Sequence, residues 1–274
     1  MTIASPRLLD GLIDASIEAG RIILDVYARP IDVAFKADAS PVTEADGLAE
    51  AVLLAALGRL APGVPVVAEE SVSAGRVPPA ADCFFLVDPL DGTKEFIGRN
   101  GDFTVNVALI ENGEPVMGVV YAPAVGRLFA GGPGGVWEMT VEGDAPGERK
   151  PLRVRALPAE GATLLVSRNH ATAATDAFRP TVAVAGRRVV GSSLKFCLIA
   201  AGEADVYPRF GPTMEWDTAA GDAVLRAAGG VMMLPDGAPF PYGKRGRPGL
   251  ADFANPSFIA ASDRRLAAFS RDRV

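Results

Sequence analysis

Apolar positions at helical spacing open the chain. Leu9, Leu12, Ile13, Ile17 and Ile23 recur behind Ser5-Pro6, an N-cap followed by proline at the first helical position. The spacing predicts a first helix from about residue 6 to about residue 27. The stretch from Lys36 to Pro41 is polar and turn-like. Thr43-x-x-Asp46 is a capping-box pattern, and it predicts a second helix with apolar positions at Leu48, Val52, Ala55 and Ala56. Short apolar runs then predict strands over residues 64–68, 83–87, 103–110 and 115–121. Glu111-Asn112-Gly113-Glu114 reads as the hairpin turn between the last two.

The pattern changes near residue 150. A glycine-rich stretch over 131–135 and a polar segment over 142–150 predict a boundary there, dividing the chain into halves 1–150 and 151–274. Past it, the pattern predicts a strand over 162–166, a helix over 194–201, and a helix over 218–228 ended by Gly229-Gly230. Strands follow over 231–234 and 257–260, with the glycine- and proline-rich segment 235–250 read as a surface loop. There is no internal repeat and no low-complexity tract. Pattern alone yields a mixed α/β chain.

Composition removes several kinds of chemistry. The chain has 274 residues, 49% of them apolar, which is enough for a sizeable core without disulfides. Cys83 and Cys197 both sit in apolar surroundings, as buried thiols in a reducing cytoplasm would. The net charge of −6 leaves no basic footprint for a nucleic acid polymer. No apolar run is long enough to span a bilayer, and no basic region followed by an apolar stretch suggests a secretory signal. His170 is the single histidine, so a histidine-rich zinc site is excluded. No Gly-x-Ser-x-Gly elbow, no phosphate-binding P-loop and no cysteine followed six residues later by arginine is present. Gly131 to Gly135 lacks the spacing of a dinucleotide fingerprint. Carboxylates with a metal ion remain.

The carboxylates stand where such a site can be built. Asp88 and Asp91 flank Pro89 and Leu90 and precede Gly92, directly after the run Cys83-Phe84-Phe85-Leu86-Val87. Two acids in a tight turn at a strand end are costly unless a cation neutralises them, and their oxygens suit magnesium. Glu69-Glu70 follows the run over 64–68, and Asp217 lies far downstream. Each has an ordinary reading as well. Asp88 and Asp91 can hydrogen-bond their own turn, Glu69 and Glu70 can be a solvated pair, and Asp46 caps its helix. Asp217 can cap a helix start with one oxygen and bind metal with the other. Gly191-Ser192-Ser193 before a helix can bind an anion through backbone N–H groups or simply cap. Lys195 and Arg209 can serve a second phosphate or face solvent, and Lys36 can be only a solvated charge.

Glu69-Glu70-Ser71, Asp88-Pro89-Leu90-Asp91-Gly92-Thr93 and Trp216-Asp217-Thr218-Ala219-Ala220-Gly221 together resemble the signatures of the inositol monophosphatase superfamily, in the family's order. The resemblance runs from about residue 8 to about residue 265. Lys94-Glu95-Phe96, Gly191 to Phe196 and Tyr207 to Pro212 resemble its bacterial 3'(2'),5'-bisphosphate nucleotidases; inositol phosphatases usually carry Thr-Asn-Phe at the first of these. The resemblance implies an α/β (α+β) fold, a layered α-β-α-β-α sandwich. Its first half would carry an antiparallel sheet and most metal ligands, and its second half a smaller mixed sheet, Asp217 and substrate contacts.

It also implies a lithium-sensitive phosphatase using two or three Mg2+ ions. Asp88 would bridge two ions, Asp91 would bind the second and the Leu90 carbonyl would complete the first, with Glu69 and Asp217 as further ligands. Asp46 and Thr93 would orient the attacking water, and Lys36 would lie near the site. Leu90, Asp91, Gly92, Thr93, Ser192, Lys195, Arg209 and Asp217 would contact substrate. The expected substrate is a small nucleotide bisphosphate, adenosine 3',5'-bisphosphate, with its 2',5' isomer and its sulfated analogue as further candidates. The alternatives are an inositol monophosphatase, a fructose bisphosphatase or a non-catalytic protein on the same scaffold. The expected compartment is the cytoplasm. Sequence leaves weak membrane association, and monomer against homodimer, open.

Overall fold

In the computed structural model, residues 2–36, 39–169, 172–178, 180 and 182–267 are described; His170 lies outside the described residues. Helix α1 (Pro6–Tyr27) starts as its cap chemistry dictates, with the Ser5 hydroxyl accepting the Leu8 N–H at 3.2 Å. A small hairpin, β1 (Ala34–Phe35) and β2 (Pro41–Val42), leads into α2 (Glu44–Leu60). The capping box is formed there: the Thr43 N–H and hydroxyl both donate to Asp46 Oδ2 at 2.8 Å.

Next come β3 (Val66–Ala68), α3 (Glu69–Ser73), β4 (Cys83–Asp91) and α4 (Thr93–Ile97). β5 (Thr104–Glu111) and β6 (Glu114–Ala122) meet at the expected turn, where Asn112 and Gly113 both take positive φ, +53° and +80°. β7 (Arg127–Gly132), β8 (Gly135–Glu142), β9 (Ala145–Pro146) and β10 (Lys150–Pro151) complete the large sheet. Its order is β10-β8-β7-β6-β5-β4-β3, with β9 beside β8. Pairing is antiparallel apart from the parallel pair β3–β4.

The rest of the chain builds a second sheet. β11 (Ala162–Ser167), α5 (Ala173–Ala177), β12 (Val184–Val190), α6 (Leu194–Ala200) and β13 (Val206–Arg209) precede α7 (Ala219–Ala227), β14 (Val231–Met233), β15 (Phe258–Ala261) and α8 (Arg264–Ala267). The order β12-β11-β13-β15-β14 is mixed, parallel around β11 and antiparallel around β15.

The expected layering is present. α1 and α2 cover one face of the large sheet, α6 and α7 fill the space between the sheets, and Leu266 of α8 is buried against the far face of the small one. Along β4, Phe85 and Val87 join the core under α1 and α2, while Phe84 and Leu86 join the core with α6 and α7. A strand buried on both faces reads as a continuous apolar run, which is how residues 83–87 read. α7 lies close on the sheet because Gly118 of β6 has no side chain; a Cβ there would stand 2.5 Å from the Ala220 carbonyl oxygen.

Three expectations are corrected. α2 buries Ala45, Ala49, Leu53, Ala56 and Leu57, whereas Leu48 and Ala55 are exposed. Small and apolar residues surround this helix, so spacing alone does not select its inward side. The glycine-rich stretch 131–135 is the tip of the β7–β8 hairpin, with Gly131, Gly132 and Gly135 inside the strands and Pro133-Gly134 as the turn. The segment 235–250 is irregular but not all at the surface, since Phe240, Tyr242 and Lys244 are buried. Glycine and proline predict irregular backbone, not exposure. Strands β12 and β13 went unpredicted. Among the described residues no helix is long and apolar enough to cross a membrane.

Candidate metal centre and cleft

Strand register brings the first two acids together. Ala68 of β3 lies opposite Val87 of the parallel β4, so the next residues, Glu69 at the start of α3 and Asp88 within β4, follow side by side. β4 shifts register against β5 between Asp88 and Asp91. Pro89 supplies no ladder donor at that step. The Leu90 N–H donates to Asp88 Oδ1 at 3.0 Å, so the turn-stabilising reading of Asp88 holds alongside the metal reading. Gly92, at φ +94°, ends the strand and starts α4 at Thr93. Few other residues adopt that backbone without strain.

Asp217 arrives from the other half on a 3₁₀ turn, Glu215–Asp217. It occupies the third position of that turn, and Thr218 instead is the N-cap of α7. One oxygen, Oδ2, accepts the Met214 N–H at 2.7 Å. The turn is anchored by Glu215, fully buried, which accepts the Gly243 and Lys244 N–H groups at 2.7 and 2.8 Å and pairs with Lys244 Nζ at 2.8 Å. Asn255 Nδ2 fixes the Met214 carbonyl at 2.6 Å.

Glu69, Asp88 and Asp217 each place a carboxylate oxygen within 4.8 Å of the others, a group able to hold one metal ion. Burial pushes the Asp88 and Asp217 carboxyls well above the usual carboxylate range, and the neighbouring acids push the same way. Asp91 is pushed up to about 6 by burial, opposed by Lys195 and by the Ser193 N–H, which donates to Asp91 Oδ2 at 2.5 Å. Hard oxygen donors crowded at this cost fit a divalent cation such as magnesium, whose charge reverses the penalty.

The other expected residues gather around this cluster. Thr93 Oγ1 donates to Asp46 Oδ1 at 3.3 Å. Burial raises the Asp46 carboxyl, with the Thr43 hydrogen bonds opposing. Lys36 Nζ bridges Glu69 and Glu70 at 2.7 and 2.5 Å, which places it at the site and gives Glu70 a partner other than metal. A cleft of about 620 Å3 opens over the acids. Every residue expected to bind metal or substrate lines it, and Asp46 alone lies outside its lining, joined to it through Thr93.

Two readings of the far wall change. Three backbone N–H groups at the start of α6 are engaged within the chain: Gly191 donates to Asp102 Oδ2 at 2.9 Å, Ser193 to Asp91, and Leu194 to Ser192 Oγ at 3.3 Å. The Ser193 N–H supports Asp91. Lys195 and Arg209, read as either substrate contacts or surface residues, are buried in the wall at 3% and 5% exposure. Lys195 Nζ donates to the Val190 and Ser192 carbonyls and lies 4.9 Å from the Tyr207 ring centroid. Arg209 donates to Ser167 Oγ and the Pro212 carbonyl at 3.0 and 2.7 Å, while its Nε has no partner among the described residues.

Several supporting residues went unread in the sequence. Ser193 Oγ bonds Asn106 Oδ1 and Thr104 Oγ1 at 2.6 and 2.8 Å, tying the second half to β5 behind the acids. Glu215 and Glu50 are buried carboxylates beneath the site. Helical periodicity held one clue, because Glu50 follows Asp46 by one turn.

A two-sheet sandwich with acids converging from β3, β4 and the turn before α7 defines a family. This chain belongs to the inositol monophosphatase family, whose sequence profile matches residues 7–267. It is 44% identical over 253 residues to the 3'(2'),5'-bisphosphate nucleotidase CysQ of Escherichia coli O157:H7, covering 92% of this chain and 98% of that one. The crystal structure of CysQ from Bacteroides thetaiotaomicron superposes with a TM-score of 0.75 at 36% identity, over 93% of this chain and 97% of that one. An inositol monophosphatase structure from Anabaena gives 0.70 at 25% identity, over 93% and 90%.

Proposed function

We propose that this chain is a magnesium-dependent phosphatase that removes the 3'-phosphate of adenosine 3',5'-bisphosphate, giving AMP and phosphate. The observation that carries the reading is the convergence of Glu69, Asp88 and Asp217 within 4.8 Å at the base of a cleft. The substrate is supported by the 44% identity to a bisphosphate nucleotidase over nearly the whole chain. The sulfated 3'-phospho analogue and the 2',5' isomer carry the same pair of anions and are further candidates.

Glu69, Asp88, Asp91, Asp217 and the Leu90 carbonyl would hold the magnesium ions, two or three in the full complement. Bound magnesium supplies positive charge against the phosphate and its leaving oxygen. Thr93 Oγ1, bonded to Asp46 Oδ1, orients the attacking water, and the raised Asp46 carboxyl is placed to accept a proton through that hydroxyl. The Asp91-Gly92-Thr93 turn holds the scissile phosphate in position. Ser192, Lys195 and Arg209 in the opposite wall would meet the second phosphate. The division near residue 150 is part of the same reading, because the large sheet ends at β10 and Asp217 follows it. The two free cysteines support a cytoplasmic location.

The test compares kcat/KM for adenosine 3',5'-bisphosphate, inositol 1-phosphate and fructose 1,6-bisphosphate, with and without magnesium. The nucleotide is expected to lead, and all turnover to need the metal. A lead for inositol 1-phosphate would overturn the substrate, and phosphate release unaffected by chelation would overturn the metal centre.

A further inference from the structure

Glu50 sits on α2 one turn after Asp46 and is 4% exposed. A carboxylate so placed needs partners. Its Oε2 accepts the Glu70 N–H at 2.8 Å, and its Oε1 accepts the Ser71 hydroxyl at 2.7 Å. Both donors belong to the first turn of α3, the short helix that Glu69 begins. The N-cap of that helix is Ala68, which has no side-chain acceptor. First-turn amides must therefore be satisfied from elsewhere, and Glu50 does this across the gap between two helices.

We propose that Glu50 is a positioning residue for the metal centre, holding the start of α3 so that the Glu69 carboxylate faces Asp88 and Asp217. The inference rests on reading Glu69 as a metal ligand. β3 fixes the backbone just before Glu69, and Glu50 fixes the two residues just after it. Lys36 holds the side chain from above. α2 thus braces both acidic segments, the Asp-Gly-Thr turn through Asp46 and the Glu-Glu-Ser turn through Glu50. Groups that orient a metal ligand without touching the metal typically govern affinity by about 10- to 100-fold.

The experiment uses the full chain with Glu50→Leu, which fills the space without acceptors, and Glu50→Gln, which retains one. Magnesium affinity is measured by calorimetry and by the rise in Tm on adding the metal, beside kcat at saturating magnesium. Glu50→Leu is expected to weaken magnesium binding by about tenfold or more, with kcat largely recovered at high magnesium, and Glu50→Gln to lie between it and wild type. A merely structural carboxylate would lower the metal-free Tm and leave magnesium affinity at the wild-type value, which overturns the proposal. Should the leucine variant not fold, the glutamine variant decides: a measurable loss of affinity supports the role, and wild-type affinity removes it. Wild-type protein that takes up no magnesium would instead overturn the metal centre itself.

Discussion

Asp91 is held from one side of the cleft. Oδ2 takes the Ser193 N–H, and the residue lines the cleft beside the acid cluster. Asp91→Asn keeps the shape and removes the charge. Activity is expected to fall by about a hundredfold or more at saturating magnesium, with far-UV circular dichroism unchanged. Near-wild-type turnover would remove Asp91 from the reaction. The acids themselves were legible because the Asp-Pro-x-Asp-Gly-Thr turn stands in order between Glu69-Glu70-Ser71 and Trp216-Asp217-Thr218; alone, the turn reads as well as two acids bonding their own backbone. The burial of Lys195 and Arg209 was not, since lysine and arginine are ordinarily exposed and only tertiary packing decides otherwise. Glu50 and Glu215 were hidden for the same reason: each acts on a segment distant in sequence.

Elements carry these side chains to their places, and α7 is held close against the large sheet. A Cβ on Gly118 would stand 2.5 Å from the Ala220 oxygen and 2.8 Å from the Ala223 Cβ, so Gly118→Ala must push the helix outward. Overpacking of this kind costs about 1–3 kcal/mol. Asp217 lies just before this helix, so the same variant is expected to bind magnesium more weakly. Chemical denaturation and calorimetry check the two effects separately, and a variant with unchanged stability would mean that the helix and sheet give way easily. α1 was legible because the cap and proline at its start agree with the apolar spacing that follows. The β7–β8 hairpin was not, because Gly131, Gly132 and Gly135 signal a break wherever they fall, including inside strands. The inward face of α2 was also illegible, its small residues fitting either side.

At the scale of the whole molecule, the acid cluster ties stability to pH and metal together. Burial raises the folded-state pKa of Asp91 to about 6, above the unfolded value of about 4, and pushes Asp88 and Asp217 up in the same direction. Between those values the metal-free folded protein binds more protons than the unfolded chain. The stability this confers is complete below about pH 4 and is lost as pH rises through about 6. Magnesium offsets the loss, so the rise in Tm on adding it is expected to be larger at about pH 7.5 than at about pH 5. An equal rise at both would show that the cluster is not where the metal acts. The closure of the cluster by Asp217 also sets a timetable. Glu69, Asp88 and Asp91 leave the ribosome long before Asp217, so the cluster cannot close until that residue has joined them. A site closed by residues so far apart in sequence carries a large loop-closure cost and is expected to form late in folding. Magnesium should therefore slow unfolding while hardly changing the refolding rate, as stopped-flow traces with and without the metal would show. In a growing cell, capture of the ion then marks a chain that has been made and folded at least as far as Asp217.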